Sequence, residues 1–370
     1  MLPCCARPAT RQCVRLLETG EWQVNEQDFE TLRQLLELPG PTGQEGAVID
    51  WLERRWAARA RRAWRSRVGN LIAHIGGRGP RVLLQAHADE IGFVVRSIDP
   101  QGFLWLTSGQ VRGEPADRFP VGQPALVLGR RGPIDGLFAV ATGHVVPEPQ
   151  RGKPVSFDDL FVDIGVSSRD EALQRGVYVG AGVIWNPPVR RLGTRIYGKA
   201  MDDRVALAAV TLLIERLDPA TFACDLYLAA TVQEENGLLG ASSLRQEMEA
   251  DYAIALEVGL VGDLPTVGDR AMPTALGHGP QLVHKDASAH YDSRLTWRLA
   301  EIAEASGIPV QHAVFERFGS DGAALIRQGI PTALVAVGTR YTHAAFEMID
   351  VRDLESTVEL LSAVVRSPLA

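Results

Sequence analysis

The sequence predicts an α/β protein: a mostly parallel mixed sheet flanked by helices, with a small β-rich domain inserted into it. Three observations predict this. Residues 81–86 form a short, continuous apolar run, as expected of a strand buried on both faces. Beyond Asp202, strand-like runs alternate with helical stretches, the pattern of parallel strands joined by crossover helices. Between Phe93 and Arg190 that alternation stops, and turn residues punctuate short runs every ~8–12 residues. A chain of 370 residues is long enough for one large domain with an insertion, or for two domains.

The elements follow in order. Residues 1–25 read as a poorly ordered extension. From Asp28 the apolar residues Phe29, Leu32, Leu35 and Leu36 recur at helical spacing, and Pro39-Gly40-Pro41 ends that helix. Thr42-Gly43-Gln44-Glu45 has the form of a capping box opening a second helix through Val48, Ile49, Leu52 and Trp56. The arginines between Arg54 and Arg67, interleaved with Trp51, Leu52, Trp56 and Trp64, suit the polar face of a surface helix. A buried strand at 81–86 leads into the insertion, 93–190, with alternating runs at 124–128 and 160–164. The α/β domain thus comprises 26–92 and 191–370. After Asp203 come a helix, a strand at 225–231, a helix after Gly237 and a strand at 252–256. Helix at 289–306, strand at 309–314, helix at 320–328, strand at 332–337 and a last helix from near Val351 complete the pattern.

Composition narrows the function. With 46% hydrophobic and 22% charged residues the chain is an ordinary globular protein. Its formal net charge of −7 argues against nucleic-acid or anionic-membrane partners, which require clustered basic surface. The cysteines Cys4, Cys5, Cys13 and Cys224 lack paired metal-site spacing, and a chain this large needs no disulfide framework. A reducing, cytoplasmic compartment fits, and no stretch approaches a membrane span.

Four scattered motifs carry the chemistry: His87-Ala88-Asp89-Glu90, Met201-Asp202-Asp203-Arg204, Gln233-Glu234-Glu235-Asn236 and Tyr341-Thr342-His343, with Glu257 as a fifth contributor. Singly each is weak. A histidine after a strand is more often a core or surface residue, and paired acids commonly favour a helix N-terminus. Jointly they are stronger, because His87, Glu234, Glu235, Glu257 and His343 each follow an expected strand. In open α/β sheets, functional groups collect in the crevice beyond the strands' carboxyl ends. Carboxylates stepping off buried strands also lose solvation unless a cation or hydrogen bonds compensate. Two histidines with several carboxylates are the donor set two divalent cations require, and the spare glutamate of the Glu234-Glu235 pair would be free to move protons.

These segments resemble the cytosolic dinuclear metallo-aminopeptidases of the TET (tetrahedral) family, which includes glutamyl and deblocking aminopeptidases. The matching segments run in order at similar spacing: L-L-E-L-P-G-P-T-G at 35–43, G-N-L-I at 69–72, A-H-A-D-E-I-G at 86–92 and L-F-V-D-I-G at 160–165. They continue with G-K-A-M-D-D-R at 198–204, V-Q-E-E-N-G-L-L-G-A at 232–241, L-G-H-G-P at 276–280, S-D at 320–321 and T-R-Y-T-H at 339–343. The resemblance implies a zinc-peptidase-like catalytic domain and two divalent metal ions, zinc or cobalt. It implies that Asp202 bridges them, that His87 and Glu257 complete one site, and that Glu235 and His343 complete the other. Glu234 would be the general base, and Asp89 would accept the other ring N–H of His87. Asp203 would orient the loop without binding metal. The insertion at 93–190 would be a dimerisation domain, with dimers assembling to a dodecamer.

The implied activity is a metal-dependent aminopeptidase that hydrolyses N-terminal residues from short cytosolic peptides. Glu257 departs from the family pattern, which has aspartate there, and motivates an alternative: a related dinuclear carboxypeptidase or deacylase. A non-catalytic assembly protein is a third reading, opposed by the complete donor set. Family members also carry the label endoglucanase, but glycosidases use two opposed carboxylates and no metal pair.

Overall fold

In the computed structural model, residues 25–110, 120–146, 148, 153–268 and 270–369 are described. The expected extension, with Cys4, Cys5 and Cys13, lies outside them apart from Asn25, whose side chain accepts from the Gln27 amide and caps the first helix.

Helix α1 (Glu26–Glu37) buries Leu32, Leu35 and Leu36 completely, each contributing about 1.5–3 kcal/mol by leaving water. After α2 (Gly46–Ala57), β1 (Arg62–Arg65) pairs antiparallel with β2 (Leu71–Gly77), and β3 (Arg81–His87) follows. The next strands, β4 (Phe93–Ile98), β5 (Leu104–Ser108), β6 (Pro124–Gly129), β7 (Gly132–Ala139), β8 (Phe161–Asp163) and β9 (Gly182–Trp185), close into a barrel in the order β4-β5-β8-β7-β6-β9. The barrel has its own core around Phe93, Leu106, Phe138, Val162 and Trp185, and includes α3 (Arg169–Arg175).

The main sheet then resumes with β10 (Arg190–Leu192), β11 (Arg195–Gly198), α4 (Met201–Arg216), β12 (Asp225–Thr231) and β13 (Tyr252–Leu260). It ends with β14 (Gln281–Lys285), α5 (Ser293–Ser306), β15 (Gln311–Val314), α6 (Gly322–Arg327), β16 (Thr332–Arg340), β17 (Glu347–Asp350) and α7 (Val351–Val365). The strand order is β1-β2-β12-β3-β13-β16-β17-β11-β10, with β14 joining β15 to β16. Its central strands β12, β3, β13 and β16 are parallel, whereas β1, β2, β17, β11 and β10 run antiparallel to their neighbours. This is the mixed sheet expected. The central strands are buried almost throughout, as their continuous apolar sequences require. Among the described residues no helix is long and apolar enough to cross a membrane.

Three local expectations are corrected. The capping box does not form: the Thr42 hydroxyl donates to Asp89, and the Glu45 carboxylate accepts the amides of Gly43 and Gln233, so α2 starts at Gly46 without a side-chain cap. The arginine run is not one helical face, because α2 ends at Ala57 and Arg62 to Arg65 pair with β2 in a sheet edge. No α-helix follows Gly237 directly. Gly237 and Leu238 have φ of 96° and 65°, outside the right-handed helical range, and only a 3-10 turn forms at Ala241–Gln246.

Candidate metal centre

Five backbone segments deliver the expected residues to one place. His87 is the last residue of β3, and Glu257 lies within β13, so sheet ladders hold both. Asp202 sits in the first turn of α4, just beyond β11, where it and Asp203 have non-helical backbone angles. Glu234 and Glu235 follow β12, and His343 follows β16.

The side chains converge. His87 Nε2 lies 2.8 Å from Asp202 Oδ1 and 3.5 Å from Glu257 Oε1. On the other side of Asp202, Oδ2 is 3.4 Å from His343 Nε2, which is 3.3 Å from Glu235 Oε1. Donor atoms of His87, Asp203 and Glu257, of His87, Glu234 and Glu235, and of Asp202, Glu235 and His343 fall into three groups, each within 4.8 Å. All the expected residues are therefore brought together, and Glu257 reaches the cluster despite its extra methylene. Asp203 is nearer than expected. Its Oδ2 accepts the His87 amide at 3.2 Å, and its Oδ1 has no hydrogen-bond partner among the described residues.

Asp89 is a clamp more than a simple partner of His87. Its carboxylate accepts the amides of Glu234 and Glu235 at 2.9 and 3.2 Å and the Thr42 hydroxyl at 3.0 Å, while His87 Nδ1 stands 3.4 Å away. Behind it is a buried ionic knot. Lys199 Nζ donates to Glu90 at 2.8 and 2.9 Å and to the Leu38 carbonyl, Arg204 donates to the Leu35 carbonyl, and Glu90 accepts the Gly40 amide. A Cβ on Gly40 would come within 2.7 Å of the buried Arg204 guanidinium, which would have to shift to admit it.

The sequence reading missed Glu45, Glu90, Lys199 and Glu347. Lys199 and Glu90 lie inside motifs already quoted, but nothing local shows that they pair. Glu347 is legible only as an acid four residues beyond His343. Gln233, Leu238, Tyr341, His343 and Ala200 all carry positive φ without being glycine, a concentration of strained backbone typical of functional sites.

The electrostatics fit cations. Burial, then the proximity of Asp202, pushes Glu257 up to about 8. Burial likewise raises Glu235 and drives Glu234 and Asp203 well above the usual carboxylate range. Burial would depress the His87 and His343 imidazoles, but neighbouring carboxylates, led by Glu257 and Glu235 respectively, hold both well above their ordinary value. Asp202 is held low against burial by those two imidazoles. Buried acids so close repel one another, and divalent cations supply the missing counter-charge with oxygen and imidazole donors they favour.

The chain is similar to known proteins over most of its length. Residues 69–360 match the family model described as M42 glutamyl aminopeptidase. A putative aminopeptidase of Escherichia coli is 31% identical over 350 residues, covering 90% of this chain and 92% of its own. The lysyl aminopeptidase of Pyrococcus furiosus is 30% identical, over 91% of this chain and 96% of its own. Among solved structures, a TET aminopeptidase from a marine sediment archaeon of the Thaumarchaeota superposes with a TM-score of 0.86 at 29% identity, covering 92% of this chain and 96% of that one. The Pyrococcus horikoshii TET1 peptidase, described as assembling into a tetrahedron or an octahedral shell, gives 0.83 at 29% identity over 92% of this chain and 100% of that one.

Proposed function

The chain belongs to the M42 glutamyl aminopeptidase family, and from that premise we propose that it is a two-metal aminopeptidase removing N-terminal residues from short cytosolic peptides. The observation that carries the reading is the convergence of His87, Asp202, Glu235, Glu257 and His343 around one point, with Glu234 beside them. Asp202 would bridge two ions, zinc or cobalt. His87 and Glu257 would hold one, and Glu235 and His343 the other.

When bound, such a pair supplies a water of lowered pKa and polarises the scissile carbonyl. The chain's own residues do the rest. Glu234, buried and not needed as a ligand, accepts the attacking water's proton on its carboxylate and passes it to the departing amine. Asp89, accepting the amides of both glutamates, holds Glu234 and Glu235 at fixed positions relative to each other. In line with the assemblies described for the TET relatives, the barrel at 93–190 would mediate dimerisation, and dimers would build a dodecamer.

The test is a panel of peptides offered with free and with acetylated amino termini. Free-amine peptides should be cleaved one residue at a time, acetylated ones should not, and a chelator should abolish turnover. Equal turnover of both would favour the carboxypeptidase or deacylase reading that Glu257 motivates. Turnover surviving the chelator would remove the metal mechanism altogether.

A further inference from the structure

We propose that Glu347 is a positioning residue that ties the backbones of Asp202 and His343 together and thereby builds the second of the two cation positions, the one formed by Asp202, Glu235 and His343. The inference rests on the two-cation reading above. Its carboxylate spans two loops: Oε2 accepts the Asp202 amide at 2.9 Å, and Oε1 accepts the His343 amide at 3.0 Å. The side chain is buried, with 3% of the residue exposed.

Topology explains the reach. β17 lies between β16 and β11 in the sheet, with Glu347 opposite Gly198 on β11. The Asp202 segment leaves the end of β11 at Gly198, and the His343 segment leaves the end of β16 at Arg340. Glu347 opens the strand between them, so one carboxylate faces both departing chains. The His343 loop needs such a tie, because Tyr341 and His343 have φ of 65° and 61°.

The two cation positions are unequally supported. His87 is laddered to Thr231 on β12, and Glu257 to Ala336 on β16, so strands hold that pair. His343 has no such ladder among the described residues, and two of the three ligand residues at its position, Asp202 and His343, donate their backbone N–H to Glu347. Asp202 is shared by both positions and is also held by His87 at 2.8 Å, whereas His343 serves the second alone, so losing Glu347 should weaken the second position more than the first.

The experiment titrates the metal-stripped full-length chain with Co2+ and counts bound ions by equilibrium dialysis, for the unmodified protein, Glu347→Gln and Glu347→Asp. The unmodified protein should bind two ions. Both variants should bind the first with affinity changed less than ~3-fold and the second ~10–100-fold more weakly, the range seen when outer supports of metal ligands are lost. Glu347→Gln turns an amide NH2 towards one of the two N–H donors, whereas Glu347→Asp keeps the charge but is a methylene too short to span both. A role confined to charge would leave Glu347→Asp like the unmodified protein and overturn the proposal, as would equal loss at both positions or no loss at either. Melting of the metal-stripped proteins checks the fold, and if Glu347→Gln does not fold, Glu347→Asp decides. An unmodified protein that binds a single ion would instead sink the two-cation reading, and this inference with it.

Discussion

At the scale of single residues, the centre separates groups that would hold cations from one that would move protons. Glu234 and Glu235 are adjacent, yet Glu235 lies 3.3 Å from His343, whereas Glu234 has no ion-pair partner among the described residues. Replacing Glu234 by Gln should lower kcat by roughly 10²–10⁴ while bound metal stays at the unmodified level, measured by elemental analysis beside steady-state kinetics. A variant that lost metal along with activity would make Glu234 a ligand instead. Asp89→Asn keeps one acceptor oxygen but turns an NH2 group towards an amide it formerly bonded. Activity or metal affinity should fall about 10–100-fold, with Glu234 and Glu235 both disturbed. Wild-type kinetics in that variant would show that the clamp is dispensable.

At the scale of elements, buried carboxylates do the joining. Asp89 ties the β3 loop to the β12 loop, Glu45 ties the α2 entrance to Gln233, and Asp350 caps α7 while accepting the Thr194 hydroxyl. One acid in α7 has a less favourable position. Glu355 is buried, and that burial, with Asp28 and Glu359 nearby, pushes its carboxyl from 4.5 to about 8. The folded state thus holds its proton more tightly than the unfolded chain does. Its contribution is fullest below pH 4.5 and is lost as pH rises through the window to about 8. Glu355→Gln escapes that loss. Its melting temperature relative to the unmodified protein should increase from pH 5 to pH 8, by an amount on the order of 2 °C. A constant difference across that range would mean that Glu355 is already ionised in the fold.

At the scale of the whole molecule, the chain divides its labour between a sheet that presents the centre and a barrel with a separate core. The two meet near the centre: Gln44, just before α2, donates to the Gly180 carbonyl and accepts the Gly182 amide, and Ala345 from the His343 loop packs into the barrel core. Changes in the barrel can therefore reach the loop that carries His343. Light scattering should give a mass many times that of one chain, in keeping with the particles described for the TET relatives. A monomer retaining full peptidase activity would detach assembly from function.

The amino-acid sequence by itself determined the alternation of strand and helix, the interruption by a β-rich segment, and the identity of the residues that gather at the centre. Those features are mostly local: buried parallel strands read as apolar runs, and His87, Glu234, Glu235 and His343 at or beyond strand ends fall on one edge, whereas Glu257, expected just past its strand, lies inside the longer β13. Tertiary structure alone decided the partners. Glu347 bonds the amide of Asp202 across 145 positions, and Asp89 bonds that of Glu234 across another 145, distances over which no periodicity carries information. The same long-range bonds overrode local signals, taking Thr42 and Glu45 out of their capping box to serve Asp89 and Gln233. A buried N–H or carboxylate must find a partner, and which partner it finds depends on how distant strands are ordered in the sheet.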